Sequence, residues 1–183
     1  MHVLRRLRNV FPRELLVKIY KSYIQPKIDY GLTIWGCTTD LNLNKVQRIQ
    51  NFAARIIFKN FDYINTRGLD LVRNLKLQNV CERRDYFLCV LMFKCIHGMA
   101  PQYLCNDVTM QFDVHGYDTR SAENMNLYVP RPYKEIYKRS FLYKGSSLWN
   151  NLPRNLKETD SLEKFKYRYR QILSGSNTKI YVS

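Results

Sequence analysis

Residues 40–59, DLNLNKVQRIQNFAARIIFK, carry the longest unbroken helical pattern in the chain and constrain what the rest can become. At about 100° per residue, Leu43, Val46, Ile49, Gln50, Ala53, Ile56 and Ile57 fall on one face. Lys45, Arg48, Arg55 and Lys59 share an adjoining stripe. A helix divided this way must pack its apolar face on other elements while leaving cations beside them. Asp40 reads as its N-cap.

The flanking segments can supply those partners. Residues 1–11 read as a basic amphipathic helix, with Arg5, Arg6 and Arg8 set among Val3, Leu4, Leu7 and Val10. Pro12 suits the first turn of a second helix that runs through Leu15, Leu16, Ile19, Tyr20, Tyr23 and Ile24 until Pro26 interrupts it, with Lys18 and Lys21 facing outward. Ile28, Leu32 and Trp35 keep the spacing of a short further helix. Short connections between these elements predict a small helical bundle over residues 1–60.

Beyond it, a polar and aromatic loop ends at Gly68, and residues 79–96 are apolar nearly all round, so 61–110 read as a helical connector that packs as core. Residues 111–183 form a third segment. Alternation at 126–129 and 135–137 allows a short hairpin, and helical spacing returns over 140–150 and again from Asp160, where Leu162, Phe165, Tyr169, Ile172 and Leu173 line one side. The expected fold class is therefore mainly α: a small helical bundle followed by further helices, with at most one short β-hairpin.

Charge narrows the partner. Thirty Lys and Arg oppose 15 Asp and Glu, a net charge of +15, which favours a polyanion. The excess is uneven: residues 1–60 hold eleven cations and three acids, 61–110 six and five, 111–183 thirteen and seven. Clustered cations at the two ends fit phosphate backbones, which reward them through counterion release. No apolar run reaches the ~18 residues of a spanning helix, and the N-terminus lacks a secretory pattern, so the expected location is intracellular, nuclear or cytoplasmic, and not secreted. Five cysteines, an odd number, fit reduced buried thiols.

Few residues suggest chemistry. Cys95, His97, Cys105 and His115 lie close in sequence, but their spacing lacks the paired ligands of a zinc site, so no metal is expected. There is no adjacent Asp-Asp pair, no glycine-rich phosphate loop and no Gly-x-Ser-x-Gly, and nothing calls for a cofactor or a small-molecule substrate. Tyrosine is abundant, at 14 residues, yet spread through every segment, so it marks no stacking platform.

Tyr20, Tyr23, Pro26, Tyr30, Gly31, Trp35 and Gly36, followed by Gln47, Gln50, Asn51, Ala53, Arg55 and Ile56, form an ordered pattern. It resembles the segment just after the palm of reverse transcriptases from LINE-like, non-LTR retrotransposons. Thr119-Arg120, Pro130, Ser140-Phe141, Trp149-Asn150 with Leu152-Pro153, Ser161-Leu162 and Phe165-Lys166 resemble that family's C-terminal segment. The resemblance implies a helical thumb that holds a template-primer duplex in an RNA-directed DNA polymerase. The family's palm, with its Asp-Asp metal site, has no counterpart here, so this chain alone is expected to be catalytically inactive.

The resulting expectation is a truncated reverse-transcriptase fragment that binds RNA or RNA-DNA duplex through backbone phosphates, independently of sequence. The contact candidates are Arg5, Arg6, Arg8, Lys18, Lys21, Lys45, Arg48, Arg55 and Lys59. The alternative is a helical interaction module or a non-functional retroelement remnant, whose exposed apolar surface would promote self-association.

Overall fold

The computed structural model describes residues 1–114 and 124–175. His115, Thr119 and Arg120 lie outside the described residues. The fold is mainly α; among the described residues no strand forms, and Met110 and Leu127 make an isolated antiparallel bridge. The chain divides into two compact units, Met1–Arg84 and Asp85–Ser183, whereas the sequence pattern suggests breaks near residues 60 and 110.

The first unit comprises α1 (His2–Leu7), α2 (Arg13–Ile19), α3 (Gln25–Asp29), α4 (Leu32–Trp35), α5 (Asp40–Phe58), α6 (Gly68–Asn74) and the opening turn of α7 (Val80–Ile96). Pro26 does not end the second helix. Tyr20–Ile24 form a π-helical turn between α2 and α3, and this wider turn accommodates a proline that has no N–H to give the ladder. The break falls instead at Gly31, whose φ of 65° lies in the left-handed region.

α1, α2 and α6 pack on α5. Leu4, Leu16, Tyr20, Ala53, Ile56 and Val72 are among the residues of their shared core. Leu43, Gln50, Ala53, Ile56 and Ile57 are buried as the spacing predicts, but Ile49 is 47% exposed, and Ala54 and Arg55 are buried as well. Residues 53–57 of α5 are thus enclosed on all sides, because α6 packs against the helix and Arg55 draws in the loop that follows. A Cβ added to Gly68, the first residue of α6, would stand 2.7 Å from the Cβ of Asn51, so the two helices approach as closely as glycine allows.

Thr39, rather than Asp40, holds the N-cap position of α5, and Asp40 lies in the first turn, where the helix dipole favours an anion. The other end closes in a Schellman arrangement: the Asn60 N–H donates to the Arg55 carbonyl at 3.1 Å and the Lys59 N–H to that of Ile56 at 3.2 Å. Lys59 occupies the left-handed position, with a φ of 56°.

In the second unit, the rest of α7 is followed by α8 (Gln102–Asn106), α9 (Gln111–Val114), α10 (Phe141–Asn150), α11 (Arg154–Lys157) and α12 (Leu162–Gly175). Its core is aromatic. Phe165 has the rings of Phe93, Trp149 and Tyr169 at 4.6, 5.9 and 5.9 Å between centroids. Ser140 caps α10 by accepting from the Tyr143 N–H. Residues 135–137 do not pair with 126–129: Tyr137–Arg139 form a 3-10 turn, and Leu127 bridges to Met110 instead.

Candidate nucleic-acid interface

The expected contact residues separate by burial. Arg5 and Arg6 on α1, Lys18 on α2, Lys21 in the π turn, Lys45 and Arg48 on α5, and Lys59 beyond it are all exposed. Lys45 and Arg48 stand at i and i+3, neighbours on the helix surface. Among the described residues, no carboxylate pairs with any of these seven. Arg8 is half-buried, with its guanidinium 5.3 Å from the centroid of the Phe61 ring.

Arg55 departs from the expectation. It is only 5% exposed, and its guanidinium donates to the carbonyls of Asp62 at 2.8 Å and Thr66 at 2.6 Å while lying 4.2 Å from the Tyr63 ring centroid. The side chain is committed to folding the 60–67 loop. Asp62 completes that loop: its carboxylate accepts from the backbone N–H groups of Ile64 and Asn65 and from the Asn65 amide, and these bonds lower its pKa.

The amide residues of α5 are likewise structural. Gln47 Oε1 accepts from the Val80 N–H at 2.9 Å, and its Nε2 donates to Gln50 and Asn51; Gln50 Nε2 donates to the Gln78 carbonyl at 2.9 Å. Together they anchor the start of α7, which Asn79 and Glu82 close by reciprocal side-chain-to-backbone bonds. Arg83 grips Asp29 with Nε and Nη2, tying α7 to α3. Much of the pattern that carries the resemblance therefore encodes how this unit folds.

An open groove of about 410 Å³ lies on the first unit between Tyr23, Ile24, Ile28, Trp35, Val46 and Ile49. Lys27 sits at its lip, with Nζ 4.6 Å from the Tyr23 ring centroid. Tyr30 and Ile34 are 86% and 82% exposed.

Sequence reasoning misses a clamp in the second unit. Asn150 Nδ2 donates to the Leu127 carbonyl at 2.9 Å and its Oδ1 accepts from the Leu127 N–H at 2.7 Å, while Trp149 Nε1 donates to the Met125 carbonyl. Lys157, 2% exposed, donates to Asn126 Oδ1 at 2.7 Å and to the carbonyls of Asn150 and Asn124. Burial lowers its pKa. The adjacent Trp-Asn-x-Leu-Pro run is the only signal in the sequence that points toward this clamp.

Two of the five thiols are poor nucleophiles at neutral pH: burial pushes Cys89 up to about 12 and Cys95 to about 11. His97 stacks on Phe93 at 3.9 Å, and its Nδ1 lies 2.9 Å from the Phe93 carbonyl. No cluster of His, Cys, Asp or Glu among the described residues could hold a metal ion. No helix among them is long and apolar enough to cross a membrane.

A 62-residue stretch, 34% of this chain, is 39% identical to a probable RNA-directed DNA polymerase from transposon X-element of Drosophila melanogaster. The matched part spans 7% of that protein's length. No family model matches the chain, and no solved structure matches it. The chain thus contains a region similar to a retrotransposon reverse transcriptase.

Proposed function

We propose that the first unit holds a nucleic-acid duplex, RNA or RNA-DNA, by its backbone phosphates, as the thumb-like part of a retrotransposon reverse transcriptase, and that the second unit corresponds to the C-terminal region. Its role is to grip the template-primer, with the chemistry supplied by a palm. The observation that carries this reading is the exposed cation set on one small bundle: Arg5, Arg6, Lys18, Lys21, Lys45, Arg48 and Lys59. The similarity to a transposon polymerase supports the choice of partner.

Arg55 is left out of the contact set because its donors are taken by the loop. Phosphate contacts carry no sequence information, so affinity should fall steeply with salt and vary little with sequence. Titrating labelled RNA-DNA duplex at two salt concentrations tests this; absence of binding at low salt would overturn it.

The apolar groove favours a second reading, self-association, in which a second copy covers Tyr23, Trp35 and Ile49 together with the exposed Ile34. Sedimentation of the wild-type chain and of Ile34→Lys separates the two readings: a dimer lost in the variant supports self-association, and a monomer in both removes it.

A further inference from the structure

Residues 131–139, RPYKEIYKR, set Arg131, Lys134, Lys138 and Arg139 among Tyr133, Ile136 and Tyr137, with Glu135 as the one acid. Tyr133 is 100% exposed and Ile136 75% exposed, and the four cations are exposed as well. A fully solvated tyrosine ring contributes no buried area, so the core does not account for it.

The backbone on either side is well anchored. Asn150 holds Leu127 through both its N–H and its carbonyl, and the Tyr128 N–H donates to the Thr109 carbonyl at 2.9 Å. Downstream, Tyr137–Arg139 form a 3-10 turn, Tyr137 meets the ring of Tyr143 edge-on at 6.5 Å, and Ser140 starts α10. At the upstream end of the arm, an open groove of about 640 Å³ is lined by Gln111, Leu127, Tyr128, Val129, Pro130 and Arg131. A mostly apolar floor with a guanidinium at its lip suits a flat, weakly polar group carried by an anion.

We propose that this arm and groove form a single-strand nucleic-acid site in the second unit, distinct in mode from the duplex grip of the first. One unpaired base stacks on Tyr133, a neighbouring base enters the groove against Tyr128 and Pro130, Arg131 meets the phosphate that joins them, and Lys134 and Arg139 meet phosphates further along the strand. Exposed aromatics interleaved with cations match single strands, whose bases offer free π faces; in a duplex those faces are already stacked. Lys138 is partly neutralised by its ion pair with Glu135, so it ranks below the other three cations.

The test uses the full chain and anisotropy of labelled oligo(U), oligo(dT) and a blunt duplex. Tyr133→Ala should weaken single-strand binding by about fivefold or more, leaving duplex binding and the salt dependence unchanged because no charge is lost. Tyr133→Phe should bind like wild type. Arg131→Ala should lower the slope of log affinity against log salt by about one for the single strands. Loss on oligo(U) alone assigns the site to RNA, and loss on oligo(dT) alone to DNA.

Wild-type affinity of Tyr133→Ala for both oligonucleotides overturns the proposal. So does loss of binding only to phosphatidylserine vesicles, which would make the arm a lipid contact. Because the readouts use different substrates, failure of duplex binding leaves the single-strand result standing.

Discussion

At the scale of single residues, a cation's neighbours decide its role more than its type does. Arg48 and Arg55 lie two turns apart on α5, yet Arg48 is exposed while Arg55 is buried with two carbonyls and a tyrosine ring. Arg55→Lys should cost about 2 kcal/mol, because one ammonium cannot reproduce the forked contact with Asp62 and Thr66, and should leave duplex affinity within error. Denaturant titration and duplex anisotropy on the same variant check both halves. A pattern of spacing could not separate these arginines: the loop that buries Arg55 carries no periodicity. Lys157 was equally hidden, since its partners Asn124 and Asn126 are over thirty residues away. Lys157→Met should cost about 1–3 kcal/mol at neutral pH by leaving buried oxygens without a donor. Its lowered pKa also sets a pH dependence. Between that value and the ordinary lysine value, the unfolded chain binds more protons, so wild type should gain stability over the methionine variant as pH rises through the alkaline range. Denaturant midpoints measured across that range check the sign.

At the scale of elements, helices with one strong apolar face are legible from their spacing, and their ends less so. α5 and α10 follow the expected periodicity and α7, apolar nearly all round, is buried along most of its length, whereas Pro26 sits inside a continuous helical run because a π turn absorbs it. The hairpin suggested over 126–137 fails to form because Asn150 and Thr109 take up the backbone groups of Leu127 and Tyr128. The C-terminus of α5 combines strain with a candidate contact. Lys59 holds a left-handed φ that glycine adopts without cost. Lys59→Gly should therefore raise stability by about 1 kcal/mol while weakening duplex binding, a pair of opposite signs that thermal melts and anisotropy can read together. Gly68→Ala should destabilise by about 1–3 kcal/mol, since the new methyl meets the Cβ of Asn51, which has no rotamer to escape into.

At the scale of the whole molecule, charge divides as the chain does. Residues 1–84 hold sixteen Lys and Arg against six acids, and 85–183 fourteen against nine, so the first unit carries +10 and the second +5. The mainly α class was legible in the sequence, and the cation excess that motivates the proposed duplex contact is read from it directly. The division at Arg84 was not, because it falls inside α7, where apolar residues continue without a break in composition. If exposed cations of the first unit hold duplex by its phosphates, RNA-DNA duplex affinity measured against salt must differ between wild type and Lys45→Ala/Arg48→Ala. The double variant should keep its fold, bind more weakly on every duplex sequence, and lose about two from the slope of log affinity against log salt. A double variant with wild-type affinity and slope would contradict that grip.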